Sequence, residues 1–179
     1  MDNKNKFYVF LDIDGVLWDW NYLKQVESKQ NTIVRADSVL NPNSVQALDR
    51  LLGILEKGYD TRLVVSSSWR NIKAKREKGY LLYDYGFQYR KPLDHTILRD
   101  DMIRPMNRGE EIQHYLDTHG VSAIDGDYVI IDDEMDYLRP YQNLGKVIKT
   151  SMAQGLNNGH INRYLRDNPE LIDLEKCGM

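Results

Sequence analysis

Three short apolar runs, Phe7 to Leu11, Arg62 to Val65 and Tyr128 to Ile131, each lead straight into a polar cluster. The clusters are Asp12-Ile13-Asp14-Gly15, Ser66-Ser67-Ser68 and Asp132-Asp133. Runs this short and this rich in β-branched and aromatic residues read as strands buried on both faces. Between them the period changes. Pro42 to Lys57 sets Val45, Leu48, Leu51, Leu52 and Leu55 on one helical face, with Asn41 as cap, Pro42 in the first turn and Gly58 as stop. A second helix is expected from Ser68 toward Leu82. A third is expected from Arg108 to about His119, opened by Asn107 and Glu110 at capping-box spacing and closed by Gly120. A fourth strand is expected at Lys146 to Lys149, and a helix from Gly159 that stops before Pro169. Strand and helix alternate, which predicts an α/β chain with a doubly wound parallel sheet and helices on both faces. Ligands then gather beyond the carboxyl ends of the strands.

Composition narrows the setting. With 179 residues, 41% of them apolar, the chain can bury a core without staples, and disorder is excluded as a global description. The single cysteine, Cys177, can close no internal disulfide and offers no thiolate zinc site, so a reducing, cytoplasmic location is expected. No apolar run approaches a membrane span or a signal-peptide core, and no membrane partner is expected. A net charge of −3 does not by itself advertise nucleic-acid binding, although it would not report a local basic stripe.

In a parallel sheet the three polar clusters converge on one edge. Asp12, Asp14, Asp132 and Asp133 would then crowd one small site, which is costly without a hard cation, and oxygen ligands favour Mg²⁺. A magnesium site is therefore expected there. Arg108 falls in the first turn of its helix, where the macrodipole already places positive charge, and such a broken local rule points to function. With the free helix N–H groups it makes an anion site, and Ser66 to Ser68 followed by Arg70 offers another. Simple pairing with the surplus acids is the alternative reading, and it weighs more for Arg70 than for Arg108.

These residues resemble the four motifs of the haloacid dehalogenase (HAD) superfamily over roughly residues 6 to 150. Phe10-Leu11-Asp12-Ile13-Asp14-Gly15-Val16-Leu17 is similar to the first, Val64-Val65-Ser66-Ser67 to the second and Ile130-Ile131-Asp132-Asp133 to the fourth; Arg108 stands where the third usually has Lys. The resemblance implies a Rossmann-like fold and a phosphatase in which Asp12 attacks phosphorus and Asp14 serves as acid, then base. It implies that Ser66 holds the phosphoryl group and Arg108 stabilises its charge. Asp12, the Asp14 backbone carbonyl and one or both of Asp132 and Asp133 would hold Mg²⁺. Ser67, Arg70 and Gly15 are expected on the substrate side. Arg is planar and bidentate where Lys is a point charge, which changes the geometry on phosphate. Residues 1–179 are expected to form one such domain, with a helical tail over 157–179. Ser66-Ser67-Ser68-Trp69-Arg70, Arg108-Gly109-Glu110-Glu111-Ile112 and Gln154-Gly155-Leu156-Asn157 more narrowly resemble the HAD domains associated with Swiss Army Knife RNA-repair proteins. The Asp-x-Asp-Gly-Val-Leu start and the double Asp also resemble deoxyribonucleotidases.

The expected substrate is a nucleotide or a nucleic-acid end; a non-nucleotide metabolite, or a binding protein without catalysis, are the alternatives. Little room exists for a cap domain between Val16 and Asn41 or between Tyr83 and Asn107. The site is thus open to a large substrate, or to a small one under a flap at Trp18 to Gln30. Arg70, Lys73, Lys75, Arg76, Lys78, Arg90 and Lys91, interleaved with Tyr80, Tyr83, Tyr85 and Tyr89, form either a nucleic-acid track or a solvated basic face with half-packed tyrosines. Trp18 and Trp20 are open to base stacking or to packing. His95, His114, His119 and His160 show no ligand spacing, and Asp136 reads as a surface acid. Receiver and topoisomerase-primase folds also gather acids around Mg²⁺ but order them differently. No P-loop is present, so a kinase or ligase partner would be a separate chain.

Overall fold

The computed structural model describes residues 4–35 and 38–176; Cys177 lies outside them. Five strands, β1 (Lys6–Leu11), β2 (Asp60–Val65), β3 (Asp94–His95), β4 (Tyr128–Asp132) and β5 (Val147–Lys149), form one parallel sheet in the order β3-β2-β1-β4-β5. The expected Rossmann-like α/β architecture is what the chain adopts. Strand β1 is central, and all of it but Lys6 is buried. Alternation along the strands divides the core. Val9, Leu11, Leu63, Val65, Val129 and Ile131 face one side, under α1 (Trp20–Gln30), α2 (Pro42–Gly58), α6 (Asn158–Asp167) and α7 (Pro169–Lys176). Tyr8, Phe10, Val64, Tyr128 and Ile130 face the other, under α4 (Arg108–Thr118) and α5 (Arg139–Asn143).

Helices α2 and α4 fall where their punctuation places them. Asn41 accepts from the Asn43 amide, and the Asn107–Glu110 capping box closes in both directions. The stretch from Ser68 to Leu82 departs from expectation. It is a 3-10 turn (Ser68–Asn71), a five-residue α3 (Lys73–Glu77) and a second 3-10 segment (Gly79–Tyr85). The physical reason is that Lys73 to Lys78 carries no apolar stripe to bury, while positive φ at Gly79, Tyr80 and Leu81 turns the chain so that Tyr80 and Leu82 enter the core. The expected flap after β1 is instead the regular helix α1, capped by Asp19. Pro169 ends α6 as expected, and it also opens α7, so the expected helical tail is built as two helices rather than one. Among the described residues, the two places where a cap would insert hold α1 with a loop, and β3 with short turns. No helix among the described residues is long and apolar enough to cross a membrane.

Candidate active site

Helix α2 covers one face after β1 and α4 covers the other before β4, so a crevice opens between the carboxyl ends of these adjacent strands. Asp12 follows β1, and its amide donates to the Ile131 carbonyl at 2.9 Å, which extends the ladder one step. Strand alternation puts Asp12, Ser66 and Asp132 on the α4 side of the sheet. Asp12, Asp132 and Asp133 each offer a carboxylate oxygen within 4.8 Å of the others. Asp12 is 5% exposed and Asp132 is 0% exposed. Asp12 Oδ1 and Asp132 Oδ2 are buried without a hydrogen-bond partner. Burial pushes the Asp12 carboxyl up, against the pull of Arg108, the Ile13 amide and Ser67. Burial and then the Asp12 charge push Asp132 up to about 7, and the same two causes raise Asp133. Two orphaned buried oxygens in an all-oxygen, like-charged trio fit a hard divalent cation.

Arg108, at the head of α4, faces both orphaned oxygens. Its Nη2 lies 3.6 Å from Asp12 Oδ1 and its Nε 3.7 Å from Asp132 Oδ2, close enough for ion pairing and too long for hydrogen bonds. Its Nη1 donates to the Ser66 carbonyl. Ser66 Oγ is buried without a partner, whereas the Ser67 hydroxyl accepts from the Trp69 amide at 3.4 Å and helps hold Asp12 charged. Arg70 does not face the crevice as a free cation. It is 2% exposed, donates to the carbonyls of Ser66, Ser67 and Ile97, and pairs with Glu111 at 2.5 Å. The structure therefore makes Arg70 a tie between the serine loop and α4.

The Asp14 carboxylate lies outside the three-carboxylate group. Its Oδ1 accepts from two indoles, Trp18 Nε1 at 2.6 Å and Trp69 Nε1 at 3.0 Å. Gly15 has φ +69°, and a Cβ there would come within 2.4 Å of Asp133 Oδ2, so only glycine lets the two loops close on each other. Beyond the carboxylates lies a cleft of about 910 Å³, into which Ser68, Asn71, Arg99, Ile103 and Tyr137 also look. The residue types of that wall carry no motif, and the sequence reading missed it. Nor does the sequence mark Glu111 or the indole of Trp69, although both lie inside the Arg108–Ile112 and Ser66–Arg70 stretches.

The remaining candidates lie elsewhere. Tyr80 and Tyr89 are buried, and Lys91 pairs with Glu56 and Asp60, so the basic, tyrosine-rich stretch does not form a continuous stacking track. Trp18 is core, packed edge-on against a half-exposed Trp20. His119 stacks on Tyr115, and His160 closes the capping box of α6 with Asn157. Asp136 is exposed and sits near Arg139.

A family model described as the HAD domain in Swiss Army Knife RNA repair proteins matches residues 8–161. No curated protein matches the chain. The three stretches that carry the narrower resemblance interlock around the crevice. Gly109 leaves room for the Tyr137 carbonyl, 2.4 Å from where a Cβ would sit. Glu110 caps α4, and Glu111 binds Arg70 of the serine stretch. Leu156 donates to the Val16 carbonyl at 2.7 Å and accepts from Ser44, fastening the loop that carries Asp12 and Asp14.

Proposed function

The chain belongs to the family of HAD domains found in Swiss Army Knife RNA repair proteins, and on that premise we propose that it is a Mg²⁺-dependent phosphomonoesterase acting on nucleotides or on terminal phosphates of polynucleotides. The observation that carries the reading is the juxtaposition of the Asp12, Asp132 and Asp133 carboxylates with the Arg108 guanidinium at the β1–β4 crevice. Asp12, Asp132 and Asp133, with the Asp14 backbone carbonyl, would hold the ion. When bound, Mg²⁺ neutralises the carboxylates and polarises the phosphoryl oxygens.

Asp12 attacks phosphorus; the P–O bond to the leaving group breaks and a P–O bond to the Asp12 carboxylate forms. Asp14 delivers the proton to the departing oxygen. Its Oδ1 is fixed by the two indoles, which leaves Oδ2 for the transfer. The same oxygen then takes a proton from the water that attacks the aspartyl-phosphate, releasing inorganic phosphate and restoring Asp12. Arg108 and the unpartnered Ser66 hydroxyl hold the phosphoryl oxygens.

The test is phosphate release with Mg²⁺ and with EDTA, from mononucleotides and from oligonucleotides phosphorylated at either end. Asp12→Asn should lower turnover by roughly a thousandfold or more while circular dichroism stays that of the wild type. Release that survives EDTA and Asp12→Asn would overturn the mechanism. Release confined to non-nucleotide esters would move the substrate class.

A further inference from the structure

The cleft is much larger than a phosphoryl group needs: about 910 Å³ is the scale of a site that encloses a whole small ligand. One wall is the catalytic edge, with Asp12, Asp133 and Glu134. A further part of the lining comes from a different stretch, residues 99 and 102–106 between β3 and α4, together with Asn71 and Tyr137. That stretch sorts its charges. Arg99 and Arg104 both look into the cleft, and the neighbouring Asp100 and Asp101 do not. Arg104 is held by Glu110 at 2.8 Å. The Arg99 side chain has no acid partner among the described residues. The Arg99 backbone amide is fixed to Asn71 Oδ1 at 2.8 Å, which ties this wall to the turn that follows the serine loop. Beside the arginines, Ile103 is 102% exposed and Tyr137 is 53% exposed. An isoleucine and a tyrosine left bare on the lining of one cleft offer apolar surface whose burial under an apolar or planar group is favourable.

We propose that this wall binds the leaving group, and that the leaving group is a nucleoside bearing a second phosphate. Arg99 receives the second phosphate, and Tyr137 and Ile103 receive the base and sugar. The inference rests on the phosphatase reading above and deepens it: the preferred substrate is a nucleoside bisphosphate or the phosphorylated end of a strand, not a mononucleotide. Both share one chemistry, a phosphomonoester and a further phosphate on the same nucleoside.

The experiment compares kcat/KM for thymidine 5′-monophosphate, thymidine 3′-monophosphate, thymidine 3′,5′-bisphosphate, oligothymidylates phosphorylated at the 5′ or at the 3′ end, and a phosphoserine peptide. The bisphosphate or an oligonucleotide should exceed the better monophosphate by roughly tenfold. Activity on both marks a strand end as the substrate, and activity on the bisphosphate alone marks the small molecule. Arg99→Ala should bring the ratio to about one, Arg99→Lys should keep part of it, and Arg166→Ala, a charge removal outside the cleft, should keep all of it. A wild-type ratio near one, a ratio unchanged in Arg99→Ala, or the peptide as best substrate would each overturn the proposal. Its failure is separable from failure of the phosphatase reading, which shows as inertness toward every ester, p-nitrophenyl phosphate included. In that case calorimetry with the bisphosphate decides: binding roughly tenfold tighter to wild type than to Arg99→Ala supports the subsite, and equal binding overturns it.

Discussion

Asp132 shows how much of this site is stored electrostatic tension. Its carboxyl stands at about 7 in the fold, against about 3.9 in an unfolded chain. The native state thus binds the proton more tightly. The contribution of this group to the stability of the metal-free protein is fully present below about pH 4 and is lost as the pH climbs toward 7, by up to about 1.4 kcal/mol per pH unit. Asp12 and Asp133 are shifted in the same direction and add to the slope. Asp132→Asn should flatten it and leave the metal-free protein more stable at pH 7.5, while weakening Mg²⁺ binding. Urea unfolding in EDTA at pH 5 and pH 7.5 reads this, and a slope identical to wild type would assign the pH dependence to other groups. The crowding itself was legible in the sequence, because acids at the ends of parallel strands have nowhere else to go. The two indoles on Asp14 Oδ1 were not. Trp18 stands four residues from Asp14 but Trp69 stands on another loop, and only the fold brings its Nε1 there.

At the scale of elements, the crevice is held open by ties between loops and helix ends. The buried Arg70–Glu111 pair is the clearest, joining the serine loop to the first turn of α4 with neither side chain more than 9% exposed. Removing one partner strands the other, which for buried pairs costs about 3–5 kcal/mol. Arg70→Ala and Glu111→Gln should each lose stability on this scale, and the double variant should lose less than their sum. A double-mutant cycle by denaturant unfolding measures the coupling, and strict additivity would mean the pair contributes nothing as a pair. In the sequence, Arg70 was open to a substrate-side role or to pairing with an acid. Which acid, and that the arginine would be fully engaged, depended on α4 arriving beside the serine loop. The caps of α2 and α4 were readable because capping is local chemistry. The broken segment from Ser68 to Tyr85 was misread because its shape is dictated by Tyr80 and Leu82 reaching a distant core.

Across the whole molecule, the two helical layers serve different ends: α4 carries the site, and the α2 side carries much of the bulk. Helix α7 belongs to the second. Leu171 is buried, and Gly58 at the end of α2 has no side chain where Leu174 packs, 2.8 Å from where a Cβ would sit. Leu171→Ala is expected to cost about 2–4 kcal/mol and to leave the Mg²⁺ affinity of the folded protein unchanged. Thermal unfolding beside a Mg²⁺ titration separates the two, and a parallel loss of affinity would link α7 to the site. Four of the five strands, their parallel arrangement and the convergence of Asp12, Ser66, Asp132 and Asp133 followed from the sequence alone; the two-residue β3 and the strand order did not. Period and end-of-strand chemistry are local properties, and a parallel sheet has one carboxyl edge. The cleft wall of Arg99, Ile103 and Tyr137, the indole clamp on Asp14 and the Arg70–Glu111 tie were decided only by the tertiary structure. Each joins residues from separate loops, whose meeting depends on packing between layers and leaves no periodic trace in the chain.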